Sequence, residues 1–268
     1  MHNAQYQGLS PTTFKDLVWV VKQNTLYAKH QQTLPLVGAE FKKAAGQYPI
    51  AFLHDPDIDQ YNPVALLGYQ ANQNLFVAPD GRWLGNYLPA YLRAYPFALA
   101  PHPETGEYII CADTNSQLIL PKEQATSGKT LELFNSQDQP SHELQQMLDF
   151  LQQLAANLQT TQQACRRLNE LNLFTPWQPT VIQNTTTLKG LYQIDEAKLN
   201  ELSPEQLADL RNTGLLTFIY AQRLSTNNIA TLETLYQQHQ QHNALDKSAQ
   251  ELDLEELFGE EDDDLLKF

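Results

Sequence analysis

The side chains able to do chemistry in this chain are few and widely spaced. His239 and His242 stand three residues apart, a spacing that puts two imidazoles on one helical face, where they could share a metal ion. No carboxylate or thiol follows nearby to supply a third ligand, and the flanking glutamines read as a solvated polar face. His54-Asp55-Pro56-Asp57-Ile58-Asp59 gathers one imidazole and three carboxylates in a short span that could hold a divalent cation. It lacks the glycine and the closing glutamate of a calcium loop, and it reads as a hydrated turn. His30, His102 and His142 form no H-E-x-x-H pattern. Cys111 and Cys165 share neither a C-x-x-C nor a histidine-linked spacing, so two buried free thiols are expected. Serine elbows, phosphate-binding glycine loops and dinucleotide fingerprints are missing from the sequence. The expectation is no metal and no cofactor.

Aromatic and arginine side chains form a denser group. Between residues 74 and 97, Phe76, Trp83, Tyr87, Tyr91, Tyr95 and Phe97 interleave with Asp80, Arg82 and Arg93. Aromatic rings and guanidinium groups dominate binding hot spots because they offer large rigid area with a polar handle. Phe76, Asp80, Arg82, Trp83, Tyr87, Tyr91 and Arg93 are therefore the candidate ligand-binding residues. Tyr87, Tyr91 and Tyr95 recur every four residues and would form a stripe if one helix carried all three. The plainer alternative is that these rings are core, with their hydroxyls hydrogen-bonded. A second candidate is the C-terminal run from Leu252, where Leu254, Leu257 and Phe258 alternate with acids as in partner-docking tails.

The elements that must position these residues follow from periodicity. Short apolar runs at 50–53, 63–69, 74–77, 108–112 and 117–120 predict strands, and Asp80-Gly81 predicts a hairpin turn. Pro89 opens a short helix. From Ser141, a plausible N-cap, the period changes: Leu144, Met147, Leu148, Leu151, Leu154 and Leu158 share a face and predict a helix over about 142–171. Ser203-Pro204-Glu205-Gln206 starts another as a capping box, Gly214 ends it, and a terminal helix follows over 230–242. Phe14 to Val21 reads as an edge strand or docking arm. The fold class is α+β: a mixed or antiparallel sheet in the N-terminal half packed with a mainly helical C-terminal half. Its divisions are an arm (1–33), a core (34–140), a helical part (141–243) and a disordered acidic tail (244–268).

Net charge is -14. Residues 251–268 hold nine carboxylates against Lys267, which leaves the body only mildly acidic. Such a body has no general attraction to nucleic acid or anionic lipid. No segment approaches the ~20 apolar residues of a membrane helix or the core of a cleaved signal, so a cytoplasmic location is expected.

Leu34-Pro35-Leu36-Val37-Gly38-Ala39-Glu40-Phe41, Tyr48-Pro49-Ile50-Ala51-Phe52, Pro63 to Gly68, Asn74 to Val77, Asp80 to Trp83 and Tyr87 to Phe97, in this order and spacing, resemble the bacterial SapC family. Gly190 to Asp195 and Gly214-Leu215-Leu216 extend the resemblance over roughly 34–235. It implies no settled activity. The family's name implies a link with bacterial surface layers, and its members tend to be encoded near TonB-dependent receptor and tryptophan-halogenase-like genes. Together, residues and resemblance lead to an accessory or binding protein for a peptide, small molecule or partner enzyme. The first alternative is a peptide- or small-molecule-modifying enzyme with a scattered site (His54, Asp80, His102, Asp113), and the second is a surface-layer or secretion component.

Overall fold

The computed structural model describes residues 5–21, 24–101, 108–125, 128–179 and 189–258. In chain order the elements are β1 (Tyr6–Gly8), α1 (Pro11–Phe14), β2 (Leu17–Val21), β3 (Thr33–Pro35), α2 (Phe41–Ala44), β4 (Ile50–Asp55), β5 (Gln60–Leu66), α3 (Ala90–Ala94), β6 (Phe97–Pro101) and β7 (Tyr108–Asp113). They continue with β8 (Ile119–Pro121), β9 (Lys129–Glu132), α4 (His142–Glu170), β10 (Phe174–Pro176), β11 (Leu191–Ile194), α5 (Glu196–Asn200), α6 (Pro204–Asn212), α7 (Leu215–Ser225) and α8 (Ile229–Phe258). The strands form three sheets, ordered β1-β7-β6, β10-β11-β4-β5-β3 and β8-β2-β9, and their pairings are antiparallel. The expected α+β class holds, with antiparallel sheets mostly early and helices mostly late.

Two cores share one beam, the 29-residue helix α4. Ser141 Oγ accepts the Leu144 N–H at 3.2 Å, which caps its start. No glycine or proline interrupts residues 142–170. Its end is a Schellman motif: Asn172 sits in the left-handed region (φ 55°), the Leu173 N–H reaches the Leu168 carbonyl at 3.1 Å, and the Asn172 N–H reaches that of Asn169 at 2.8 Å. Leu144, Leu151 and Leu154 of α4 pack with Phe14, Phe97, Ile119 and Leu133 in one core. Further along, Cys165 and Leu168 join Phe52, Leu66, Phe76, Ile194 and Ile219 in the other. Both cysteines are buried free thiols, and burial pushes the Cys165 thiol up to about 12.

Several expectations about local structure change. The stretch 14–21 reads in sequence as an edge strand or docking arm, yet β2 is the middle strand of its sheet, with Val18 and Val20 alternating into the core. Residues 74–77 make no strand; one isolated bridge, Val77 to Trp83, marks the Asp80-Gly81 turn. The helix α3 spans only Ala90–Ala94, which leaves Tyr87 and Tyr95 outside it and dissolves the expected tyrosine stripe. The terminal helix α8 runs on through Phe258, well past His242, because no glycine or proline stands between Ile229 and Gly259.

Between the Val77 bridge and α3 the backbone is irregular, and side chains satisfy its polar groups. Gln47 Oε1 accepts the N–H groups of Asn86 (2.7 Å) and Tyr87 (3.1 Å). Glu40, only 5 % exposed, accepts the Ala90 N–H and the Tyr87 hydroxyl through Oε1, both at 2.7 Å, and the Val37 N–H through Oε2 at 3.2 Å. Tyr48 donates its hydroxyl to the Tyr87 carbonyl, and Trp83 Nε1 donates to the same oxygen at 3.0 Å. A buried donor that loses its acceptor bears its full desolvation penalty. Glu40→Ala should therefore lower unfolding free energy by about 3 kcal/mol, read from urea denaturation, while Glu40→Gln, which keeps an acceptor, should lower it by less.

Candidate functional site

The residues singled out between 74 and 97 divide by environment. Phe76 is core (2 % exposed), stacked on Trp83 at 5.6 Å. Trp83 and Tyr87 are half-buried and carry the hydrogen bonds just described. Tyr91 is half-buried and packs against both cores. Asp80 and Arg82 are exposed on the turn, where Asp80 Oδ1 accepts the Arg82 N–H at 3.0 Å. Arg93 is exposed; its guanidinium lies over the rings of Phe150 (4.9 Å) and Tyr87 (5.7 Å), and Nε donates to the Leu88 carbonyl. Phe76, Trp83, Tyr87 and Arg93 thus meet in one hydrogen-bonded, ring-packed unit, with Asp80 and Arg82 at its turn. Leu254, Leu257 and Phe258 belong to α8, but their side chains lie outside the described residues, as do all of Gly259 to Phe268.

This unit positions a concavity that the sequence did not announce. A pocket of about 350 Å³ is lined by Asn24, Leu26, Tyr27, His30, Tyr95, Ser116, Gln117 and Leu118. Its walls are three connections: β2 to β3, α3 to β6, and β7 to β8. The 24–28 wall is clipped to the Asp80-Gly81 turn, since the Gly81 carbonyl accepts both the Thr25 N–H (2.7 Å) and its hydroxyl (3.0 Å). Gly81 has φ +85°, and a Cβ there would sit 2.8 Å from Leu26 Cγ and 2.9 Å from Asn24 Cβ, so the close approach needs glycine. Asn74 Nδ2 donates to the Ala28 carbonyl at 3.0 Å and holds the far end of this wall.

Within the pocket, the Tyr27 and Tyr95 rings stack with centroids 4.2 Å apart and planes 14° from parallel. Both hydroxyls are committed elsewhere: Tyr27 donates to the Leu92 carbonyl at 2.8 Å, and Tyr95 to Oδ2 of the fully buried Asp113 at 3.0 Å. Burial pushes Tyr27 up to about 12. Burial first, then the Asp113 charge and hydrogen bond, raises Tyr95. Both are fixed as neutral donors, not bases. Gln117 has φ 55°; among the described non-glycine residues in the left-handed region it alone is neither Asn nor Asp, the types that tolerate it best. Among the described residues, the buried side-chain oxygen without a partner is Gln31 Oε1, which follows His30 directly.

Two other features frame the site. An apolar groove of about 740 Å³ lies between the β6–β7 hairpin and α4, lined by Leu9, Leu99, Ile110, Phe134, Leu148 and Ala155 with Asp138 beside them. At the β4–β5 turn, His54 Nε2 meets Asp59 Oδ1 at 2.8 Å, and Asp59 Oδ2 accepts from Asn169 at 3.1 Å; these bonds hold the Asp59 carboxyl below the usual range. The scattered set of His54, Asp80 and Asp113 is hydrogen-bonded to Asp59, Arg82 and Tyr95 respectively, and His102 lies outside the described residues. His239 Nε2 is paired with the Leu75 carbonyl at 3.0 Å, which occupies it in a structural contact.

Fold and pocket together define an antiparallel α+β protein with a small, half-polar, ring-walled concavity set among loops. The SapC family model matches residues 9–232, and the chain belongs to the SapC family. The match reaches further toward the N-terminus than the resemblance over 34–235, taking in α1 and β2. No curated protein and no solved structure matches the chain. Among the described residues no helix is long and apolar enough to cross a membrane.

Groups with folded-state pKa values raised above the unfolded value near ~10 support stability at lower pH. That contribution is complete below about pH 10 and disappears as pH rises through the folded values. In alkaline titration, the 295 nm ionisation of Tyr27 and Tyr95 should therefore appear only together with the loss of far-ultraviolet dichroism. A simple titration finished near pH 10 with dichroism intact would contradict this account.

Proposed function

We propose that this SapC-family chain is a binding or accessory protein whose ligand, a small molecule or a side chain of a peptide, enters the Tyr27/Tyr95 pocket. The observation that carries the reading is the convergence, in one concavity of about 350 Å³, of a stacked tyrosine pair with the side chains of Asn24, His30 and Gln117. Ligand sites combine apolar or aromatic walls with a few converging polar groups in just this way, at volumes of roughly 300–1,000 Å³. The 74–97 segment acts as the frame: Phe76, Trp83 and Tyr87 brace the backbone that ends in Tyr95, while Asp80, Arg82 and Arg93 offer exposed charge beside it to a larger partner. Tyr91 joins the frame where the two cores meet. Leu254, Leu257 and Phe258 fall on one face of a helix and serve as a second contact for a protein partner. A cytoplasmic setting is supported by two free, buried thiols.

An enzymatic alternative keeps one observation in its favour, the His54 imidazole oriented by Asp59, which is what acid–base work requires. His54→Gln would leave ligand capture unchanged under the binding reading and abolish turnover under this one.

The leading reading is tested by native mass spectrometry of the full chain after incubation with the small-molecule fraction of a bacterial lysate. A bound mass is expected, and it should fall at least tenfold in the Asn24→Ala, Gln117→Ala double variant, whose side chains are not core. A bound mass retained in full by that variant, or none in the unaltered protein, overturns it.

A further inference from the structure

We infer that the pocket selects an uncharged, planar heterocycle that carries a hydrogen-bond donor beside an acceptor on one edge, as in a nucleobase or nucleoside. This rests on the ligand-site reading above and deepens it.

The first observation is what the tyrosines leave available. With both hydroxyls donated away, to the Leu92 carbonyl and to Asp113, Tyr27 and Tyr95 offer the pocket ring surface, not hydrogen bonds. Their rings lie nearly parallel at 4.2 Å, and a flat ligand continues such a stack with little loss of side-chain entropy.

The second observation is the polar set. Asn24 and Gln117 line the pocket, and no hydrogen bond engages either side-chain amide among the described residues. Each amide presents a donor and an acceptor side by side. The ligand edge that satisfies such a pair in one plane is a donor beside an acceptor, as in a lactam or in an amino group next to a ring nitrogen; bidentate pairing of Asn and Gln with a base edge follows the same geometry. His30 adds an acceptor. Its Nδ1 faces the Asn72 carbonyl at 3.2 Å and must carry the proton there, so the neutral ring leaves Nε2 as a lone-pair acceptor for a ligand N–H. The Ser116 Oγ accepts the Leu118 N–H at 3.1 Å, which frees its own O–H to donate. Gln117 is held in the left-handed region, where a long side chain is strained, and such strain concentrates where a side chain must be aimed at something.

The third observation is charge. Among the described residues neither lysine nor arginine lines the pocket. A phosphate or carboxylate would find no cation among those residues to pair with. The base or nucleoside, not the nucleotide, fits.

Isothermal titration of the full-length protein, with saturation-transfer difference NMR, distinguishes the possibilities using five probes: inosine and uridine, which carry lactam edges; adenosine, which carries an amino group beside a ring nitrogen; indole, flat with a donor but no acceptor; and inosine monophosphate. At least one of the three nucleosides should bind, with indole and the monophosphate each at least tenfold weaker. Gln117→Ala and Asn24→Ala, both away from the cores, should each weaken binding of that nucleoside at least tenfold with unchanged dichroism. Equal binding of indole, no binding by any probe, or indifference of the two amide variants overturns the donor–acceptor assignment. If indole binds best while the lysate-derived mass is still lost in the double variant, the pocket stands and only the ligand class falls. If that mass is kept, both fall.

Discussion

A buried carboxylate holds in place the segment on which the candidate pocket depends. Glu40 sits at the end of a single 3-10 turn (Gly38–Glu40) just before α2, and with Gln47 and Tyr48 it accepts from, or donates to, six backbone or hydroxyl groups between Tyr87 and Ala90 and at Val37 and Asn86. Backbone without a sheet or helix of its own has to find partners for every buried N–H and C=O. Here those partners are side chains from one short helical stretch. This lets residues 84–89 run irregularly through the protein and still deliver α3, and with it Tyr95, to a defined place.

That place is a junction. The helix α4 carries one core on its first half and the other on its second, so the sheets to either side are held at a fixed separation, and the connections between them form the surface around the pocket. Loops supported by rigid elements are where binding residues concentrate, since they can vary without unpicking a core. The fully buried Gln222 shows the same economy inside the larger core: its amide accepts the Ile194 N–H at 3.1 Å and donates to the Ile50 carbonyl at 2.9 Å, bridging β11 and β4 beyond their paired residues.

The environment of the candidate pocket suits the recognition proposed for it. Tyrosines with raised pKa values donate hydrogen bonds at any physiological pH, and those of Tyr27, Tyr87 and Tyr95 are already committed to a carbonyl or a carboxylate. Under the reading proposed above, rings with committed hydroxyls, amides with no partner among the described residues and no cation among the described lining residues would select for shape and hydrogen-bond pattern.

Much of the local structure was legible from the residues alone, because it depends on neighbours a few positions apart. Ser141 as a cap, the apolar stripe of α4, the Ser203 capping box and the left-handed Gly214 are all short-range physics, and the structure contains each of them. The order of motifs from Leu34 to Phe97 sufficed for the family. The aromatic enrichment at 74–97 was visible too, but not its division into a sealed Phe76, a bracing Trp83 and Tyr87, and a pocket-lining Tyr95, since burial depends on what packs opposite. The pocket itself could not be read: Asn24, Tyr27, His30 and Gln117 are ordinary polar or aromatic residues spread over some ninety positions. Long-range contacts such as those of Gly81 with Thr25 and of Tyr95 with Tyr27 and Asp113 bring them together. Contacts between residues so distant in sequence leave no periodic trace, and so the tertiary structure alone decided where the candidate pocket lies.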